Sequence, residues 1–139
     1  MAAFNKHNQF TEDIAEKVHN LGSDQLVVAL TAAANAPVAT NSVLANLTQI
    51  SYTNLSSRNV TTSSSAQSSG VYKLTCTDLV LTASGTVAAF RYVDLYNDTP
   101  TSPADPLIGW YDYGSDLTLI NGETFTIDFD GTNGVLTIT

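Results

Sequence analysis

Hydrophobic and polar positions change their period near residue 22. From residue 3 to 21, Ala3, His7, Phe10, Ile14, Val18 and Leu21 recur at three- and four-residue steps. One apolar stripe of that spacing predicts an amphipathic helix over about 3–21, ended by Gly22 and capped by either Asn5 or Thr11. Such a stripe needs a surface to cover it, either the sheet of its own chain or a neighbouring subunit. Phe10, Ile14 and Val18 are therefore candidate partner contacts.

Beyond Gly22 the pattern is that of short strands. Gln25–Thr31 is apolar on both faces and reads as a central strand, and Ala32–Ser42, with Pro37, as a loop. Leu47–Tyr52 and Arg58–Thr62 are weaker strand candidates. Ser63–Gly70, small and polar, is either a mobile loop or an exposed edge. Val71–Thr77, Leu79–Ala83, Thr86–Tyr96 and Leu107–Tyr113 are rich in β-branched and aromatic residues, with Ser84-Gly85 as a tight turn. Asn97–Pro106 holds three prolines and reads as a long surface loop suited to contacts.

Three apolar-polar runs, Ser115–Ile120, Glu123–Phe129 and Val135–Thr139, are separated by Asn121-Gly122 and Asp130–Gly134, which predicts a terminal β-meander. A three-residue loop at Ile120–Gly122 aligns Leu117 with Phe125 and keeps the apolar side chains on one face. Leu136 and Ile138 are expected to share that face with Phe125, Ile127 and Phe129. The fold class is mainly β: one domain over 1–139, an antiparallel β-sandwich or jelly-roll-like barrel with one N-terminal helix.

The chain's 139 residues suit one core. Charged residues make up only 13%, so hydroxyls and amides must solvate much of the surface. A net charge of −8 with five Lys and Arg argues against nucleic-acid binding and against an anionic membrane surface. No apolar stretch approaches the about 20 residues of a spanning helix, and no charged-then-apolar leader opens the chain, so synthesis in the cytoplasm is expected. The single cysteine, Cys76, sits in a strand pattern and is expected to be buried. Sequons at Asn46, Asn54, Asn59 and Asn97 carry no weight in so Ser/Thr-rich a chain.

Candidate chemistry is sparse. Asp128–Asn133 spaces carboxylates as a calcium loop does, but lacks the required glycine and the distal glutamate, so a turn with solvated aspartates is expected. His7 and His19 are too far apart for ligands on adjacent turns, so no metal site is expected. No nucleophile elbow occurs, and Asp112 and Asp116 are better read as a solvated turn than as glycosidase carboxylates. The expectation is a protein that is not an enzyme and holds no cofactor. In Trp110-Tyr111-Asp112-Tyr113 the indole is assigned to the core, and Tyr111 or Tyr113 to an interface.

The segments His19–Thr31, Ala36–Ala45, Phe90–Asp98, Asp105–Tyr113 and Gly122–Gly131, together with the preceding helix, resemble a group of small proteins encoded among the virion structural genes of tailed bacteriophages. The resemblance spans nearly the whole chain. It implies a non-enzymatic virion component, foremost a capsid decoration or cement protein bound to the major capsid protein on the outer shell, with a homo-oligomer such as a trimer assembled there. A tail or neck component is the alternative from the same source. A carbohydrate-binding β-module, with Trp110–Tyr113 and the Asn97–Pro106 loop as its platform, is the alternative from another class.

Overall fold

The computed structural model describes residues 2–139 and is mainly β, with antiparallel sheets and a single α-helix. In chain order the elements are β1 (Asn5–Lys6), α1 (Gln9–Ala15), β2 (Leu26–Thr31), β3 (Asn59–Val60), β4 (Thr62–Ser68), β5 (Val71–Cys76), β6 (Leu79–Thr82), β7 (Phe90–Asn97), β8 (Leu107–Leu117), β9 (Thr124–Ile127) and β10 (Leu136–Ile138). A five-stranded sheet runs β1-β8-β7-β2-β3, a three-stranded sheet β10-β5-β4, and β6 pairs with β9. This architecture is consistent with a β-sandwich.

Every residue of β2 is buried because both faces of its sheet are covered. Leu26, Val28 and Leu30 point into the main core with Val93, Leu95 and Ile108. Val27 and Ala29 join a second cluster with Tyr96 and Leu107, roofed by Leu44 and Leu47 from the long loop after β2. Leu47–Tyr52 therefore contributes side chains as part of that loop instead of forming a strand. The loop also closes the outer edge of β2: Leu30 N–H donates to the Tyr52 hydroxyl at 3.0 Å, and Ile50 N–H to the Leu30 carbonyl at 3.0 Å.

The helix is shorter than its stripe. Residues 5 and 6 are drawn into β1 beside β8, opposite Trp110 and Gly109. Gly109 makes this approach possible, since a Cβ there would lie 2.5 Å from the Asn5 carbonyl oxygen and 2.6 Å from the Phe4 ring. At the other end Lys17 takes a left-handed φ of 65°, and Val18 N–H reaches back to the Asp13 carbonyl at 2.8 Å. That is a Schellman closure, with Lys where Gly is commoner, and it ends the helix before Gly22.

The terminal runs do not form the expected meander. All three runs contain strands, but β8 pairs with β7 and β1, β9 with β6, and β10 with β5. Asn121-Gly122 does turn the chain, with Glu123 N–H bonded to the Ile120 carbonyl at 3.0 Å. Its outer groups, however, bond Ala83, so the turn docks on the end of β6. Leu117 lies opposite Phe90, and Phe125 opposite Leu81. Turn chemistry fixes only the reversal, whereas burial of cross-strand side chains selects the partner.

Ser63–Gly70 is an exposed edge. Thr62–Ser68 forms β4, and Ser69-Gly70, both at positive φ (51° and 81°), makes the two-residue turn into β5. At the C-terminus Val135 is buried and Leu136 half-buried opposite Leu74, while Ile138 is 39% exposed and so lies at the surface instead of in the shared core. Deleting Val135–Thr139 would remove one buried and one half-buried apolar side chain, a loss of roughly 2–4 kcal/mol. The melting temperature is expected to fall by roughly 10 °C. An unchanged transition would show that β10 adds nothing to the sheet.

Candidate partner-contact surface

The N-terminal segment is seated on the second face of the five-stranded sheet by buried polar groups. His7 N–H donates to the Ile108 carbonyl at 3.1 Å, and Asn8 N–H to the Ala39 carbonyl at 2.8 Å, so the segment spans from β8 to the loop after β2. The His7 ring packs on Trp110 with centroids 4.6 Å apart. Its Nδ1 lies 3.2 Å from the Val38 carbonyl oxygen and its Nε2 2.8 Å from Asp94 Oδ2, with both side chains fully buried. A carbonyl can only accept, so Nδ1 carries a hydrogen, and a single further proton lies between Nε2 and Oδ2. Burial pushes the Asp94 carboxyl above its ordinary value, against the downward pull of the His7 hydrogen bond.

His19 is held in a second polar knot. The Asn97 amide nitrogen donates to His19 Nδ1 at 3.2 Å and to Asp24 Oδ2 at 2.6 Å, and His19 Nε2 lies 4.0 Å from Asp13 Oδ2. Burial pushes the His19 imidazole below its ordinary value, with Asp13 and Asp24 pulling the other way. Asn97 is fully buried, so its sequon is structural.

These contacts satisfy most of the helix stripe within the chain. Phe10, expected as a partner contact, is 5% exposed and part of the main core, with its ring 5.2 Å from that of His19, so it offers a partner no surface. Ile14 is half-buried against the same core, and Val18 is half-buried beside Pro103.

The aromatic run on β8 is split by strand alternation. Trp110 lies opposite Asp94 on the second face, half-buried over His7 and not enclosed in the main core. Tyr111 and Tyr113 point the other way, into a groove of about 300 Å³ lined also by Val93, Phe125, Ile127 and Asp128. Tyr113 is 53% exposed and meets the Phe125 ring edge-on, with centroids 5.4 Å apart. Tyr111 is half-buried against Phe4 and Phe129, and burial pushes its hydroxyl up to about 12. Since β8 starts at the Asn97–Pro106 loop, the six residues to Tyr113 span roughly 20 Å. Trp110, the two tyrosines and that loop therefore do not form one platform.

The carboxylates picked out in the sequence serve the chain itself. Asp130 accepts from Thr132 N–H and from both the backbone and side-chain nitrogens of Asn133, which hold it below the usual carboxylate range. Asp112 receives two hydrogen bonds from Arg91, at 2.8 and 2.9 Å, and is also held low. Asp116 instead accepts from Ala33 N–H, so the two are not a facing pair. Among the described residues no group of three or more His, Cys, Asp or Glu is placed to hold a metal ion, and no helix is long and apolar enough to cross a membrane. Cys76 is buried, and burial pushes its thiol up to about 11.

The Asp94–His7 pair and the Asn97 knot were not singled out from sequence, although Asp94 inside the apolar run Phe90–Tyr96 is the available signal: a charge in a buried strand needs a partner. Comparison of the chain with protein-family models, with curated proteins and with solved structures gave no match.

Proposed function

We propose that this chain is a structural component of a tailed-bacteriophage virion, a decoration or cement protein that binds the major capsid protein on the outside of the shell. The resemblance of five segments spread over nearly the whole chain carries this reading. The groove of Tyr111, Tyr113 and Phe125 supports it as a contact surface, because exposed amphipathic aromatics are enriched where proteins meet. The charge of −8 favours the outer side, away from packaged DNA.

The test is co-sedimentation with purified heads lacking the protein. Saturable binding is expected, and Tyr113→Ala weakens it about tenfold or more, the usual effect of truncating an aromatic at the centre of an interface. Binding to tails and not heads transfers the chain to the tail or neck. A sugar-binding reading draws on the same groove, where Thr126 and Asp128 stand beside the tyrosines. Calorimetry against a glycan panel distinguishes it, since Trp110 faces away and its fluorescence does not report on the groove.

A further inference from the structure

We infer that the free edge of β4 pairs with the β4 edge of a second copy of this chain, antiparallel and with the two-fold axis at Ala66. The other sheet edges are short, covered or irregular: β1, β3, β9 and β10 have two to four residues, and past Trp110 the part of β8 that β1 leaves uncovered is bulged, its pairing with β7 jumping from Asp112 to Leu117. β1 lies along part of β8, the 50–58 loop closes β2, and Ser56 caps β6 through Ser56 N–H to the Thr82 carbonyl (3.0 Å) and Thr82 N–H to the Ser56 hydroxyl (2.8 Å). β10 is only three residues long. β4 has seven residues, its sole ladder partner among the described residues is β5, and from Ser64 to Ser68 it pairs without a bulge. It carries no proline and no charge, two of the devices by which natural edges avoid self-pairing.

Hairpin geometry sets the register. With Ser69-Gly70 as a two-residue turn, Ser68 and Val71 form the first hydrogen-bonded pair, so Ala66 and Ser64 also bond inward to β5. The backbone groups of Ser65 and Gln67 then face outward. If Ala66 is placed opposite its symmetry mate, Ser65 meets Gln67 of the second copy and Gln67 meets its Ser65, which completes two hydrogen-bonded pairs. The close non-hydrogen-bonded position falls on alanine, the smallest side chain of the strand. This self-complementarity is what a two-fold interface requires.

The strand itself adds no charge to such a contact. Two copies at −8 repel each other, yet between Asp24 and Lys73 the only charged side chain is Arg58, so every acidic residue lies outside the stretch that contains β4. With no charged side chain on either β4, edge-to-edge pairing brings no like charges face to face along the ladder. A second copy also supplies the matching uncharged strand.

Sedimentation velocity on the wild-type protein over about a hundredfold range of concentration is expected to show the mass rising from 14.7 kDa toward twice that value. Gln67→Pro, which removes an outward N–H, and Ala66→Lys, which places like charges at the axis, are expected to stay monomeric with an unchanged melting transition. Under mild oxidation Ala66→Cys is expected to form a covalent dimer at least tenfold faster than Val80→Cys, an exposed control on β6. Facing Cα atoms at a non-hydrogen-bonded site are about 4.5 Å apart, within reach of a disulfide, and Cys76 is buried and does not compete. A monomeric wild type together with equal crosslinking of the two cysteine variants would overturn the inference. So would a monomeric protein whose binding to heads is lost in Gln67→Pro, since the edge would then belong to a shell protein.

Discussion

Asp94→Ala is expected to destabilise the protein by about 3–5 kcal/mol, because removing one partner of a buried pair leaves the other without compensation. The partner is His7, fully buried at 2.8 Å, and through it the N-terminal segment is fastened to β7. Asp94→Asn should remain within about 1 kcal/mol of wild type, since an amide N–H can take the place of the proton that lies between Asp94 and His7 Nε2. The two variants also separate by pH. Asp94 is raised above its ordinary 3.8 by burial, so the native state keeps a proton that the unfolded chain loses above about pH 4. That contribution is fully present below about pH 4 and is lost as pH rises through the folded value. The stability of wild type relative to Asp94→Asn should therefore fall over that window, by at most about 1.4 kcal/mol per pH unit. Urea unfolding at a series of pH values measures this. A difference that grows with pH, or an alanine variant as stable as wild type, would contradict the role given to the pair.

Phe90→Ala is the second large effect, expected at about 3–5 kcal/mol from lost transfer energy and the cavity left behind. Phe90 has no exposed surface, stands opposite Leu117 at the start of β7, and meets Phe125 edge-on with centroids 5.3 Å apart. It thus joins the five-stranded sheet to the β6–β9 ribbon. Phe125 in turn supports Tyr113, so the cavity should reach the groove. Phe90→Leu keeps most of the volume and should cost well under half as much. Urea midpoints at constant slope give the energies, and Tyr113 ring chemical shifts report the groove. If the alanine variant leaves those shifts in place, the groove is supported from elsewhere.

Strand content was legible wherever burial is two-sided or strictly alternating. β2, β5 and β6 fall within a residue or two of their expected runs, and Cys76 lies in the core. Pairing was not legible, because a run such as Thr124–Ile127 shows which face is apolar but not which distant strand will cover it. The helix was overextended for a related reason. His7 keeps helical spacing with Phe10, yet a buried carboxylate on β7 and the close approach allowed by Gly109 pull residues 5–7 out of helical geometry. At the candidate surface, alternation along β8 correctly joins Tyr111 to Tyr113 and sets Trp110 apart. Phe125, which completes the groove, comes from a strand whose position no local signal gives.

We propose that the chain decorates the outside of a phage head. Mass spectrometry of purified heads, separated from tails, tests it most directly. The chain is expected in the head fraction, at a constant ratio to the major capsid protein and released by mild denaturant before the shell opens. Recovery of the chain only with tails, or from neither fraction, would contradict it.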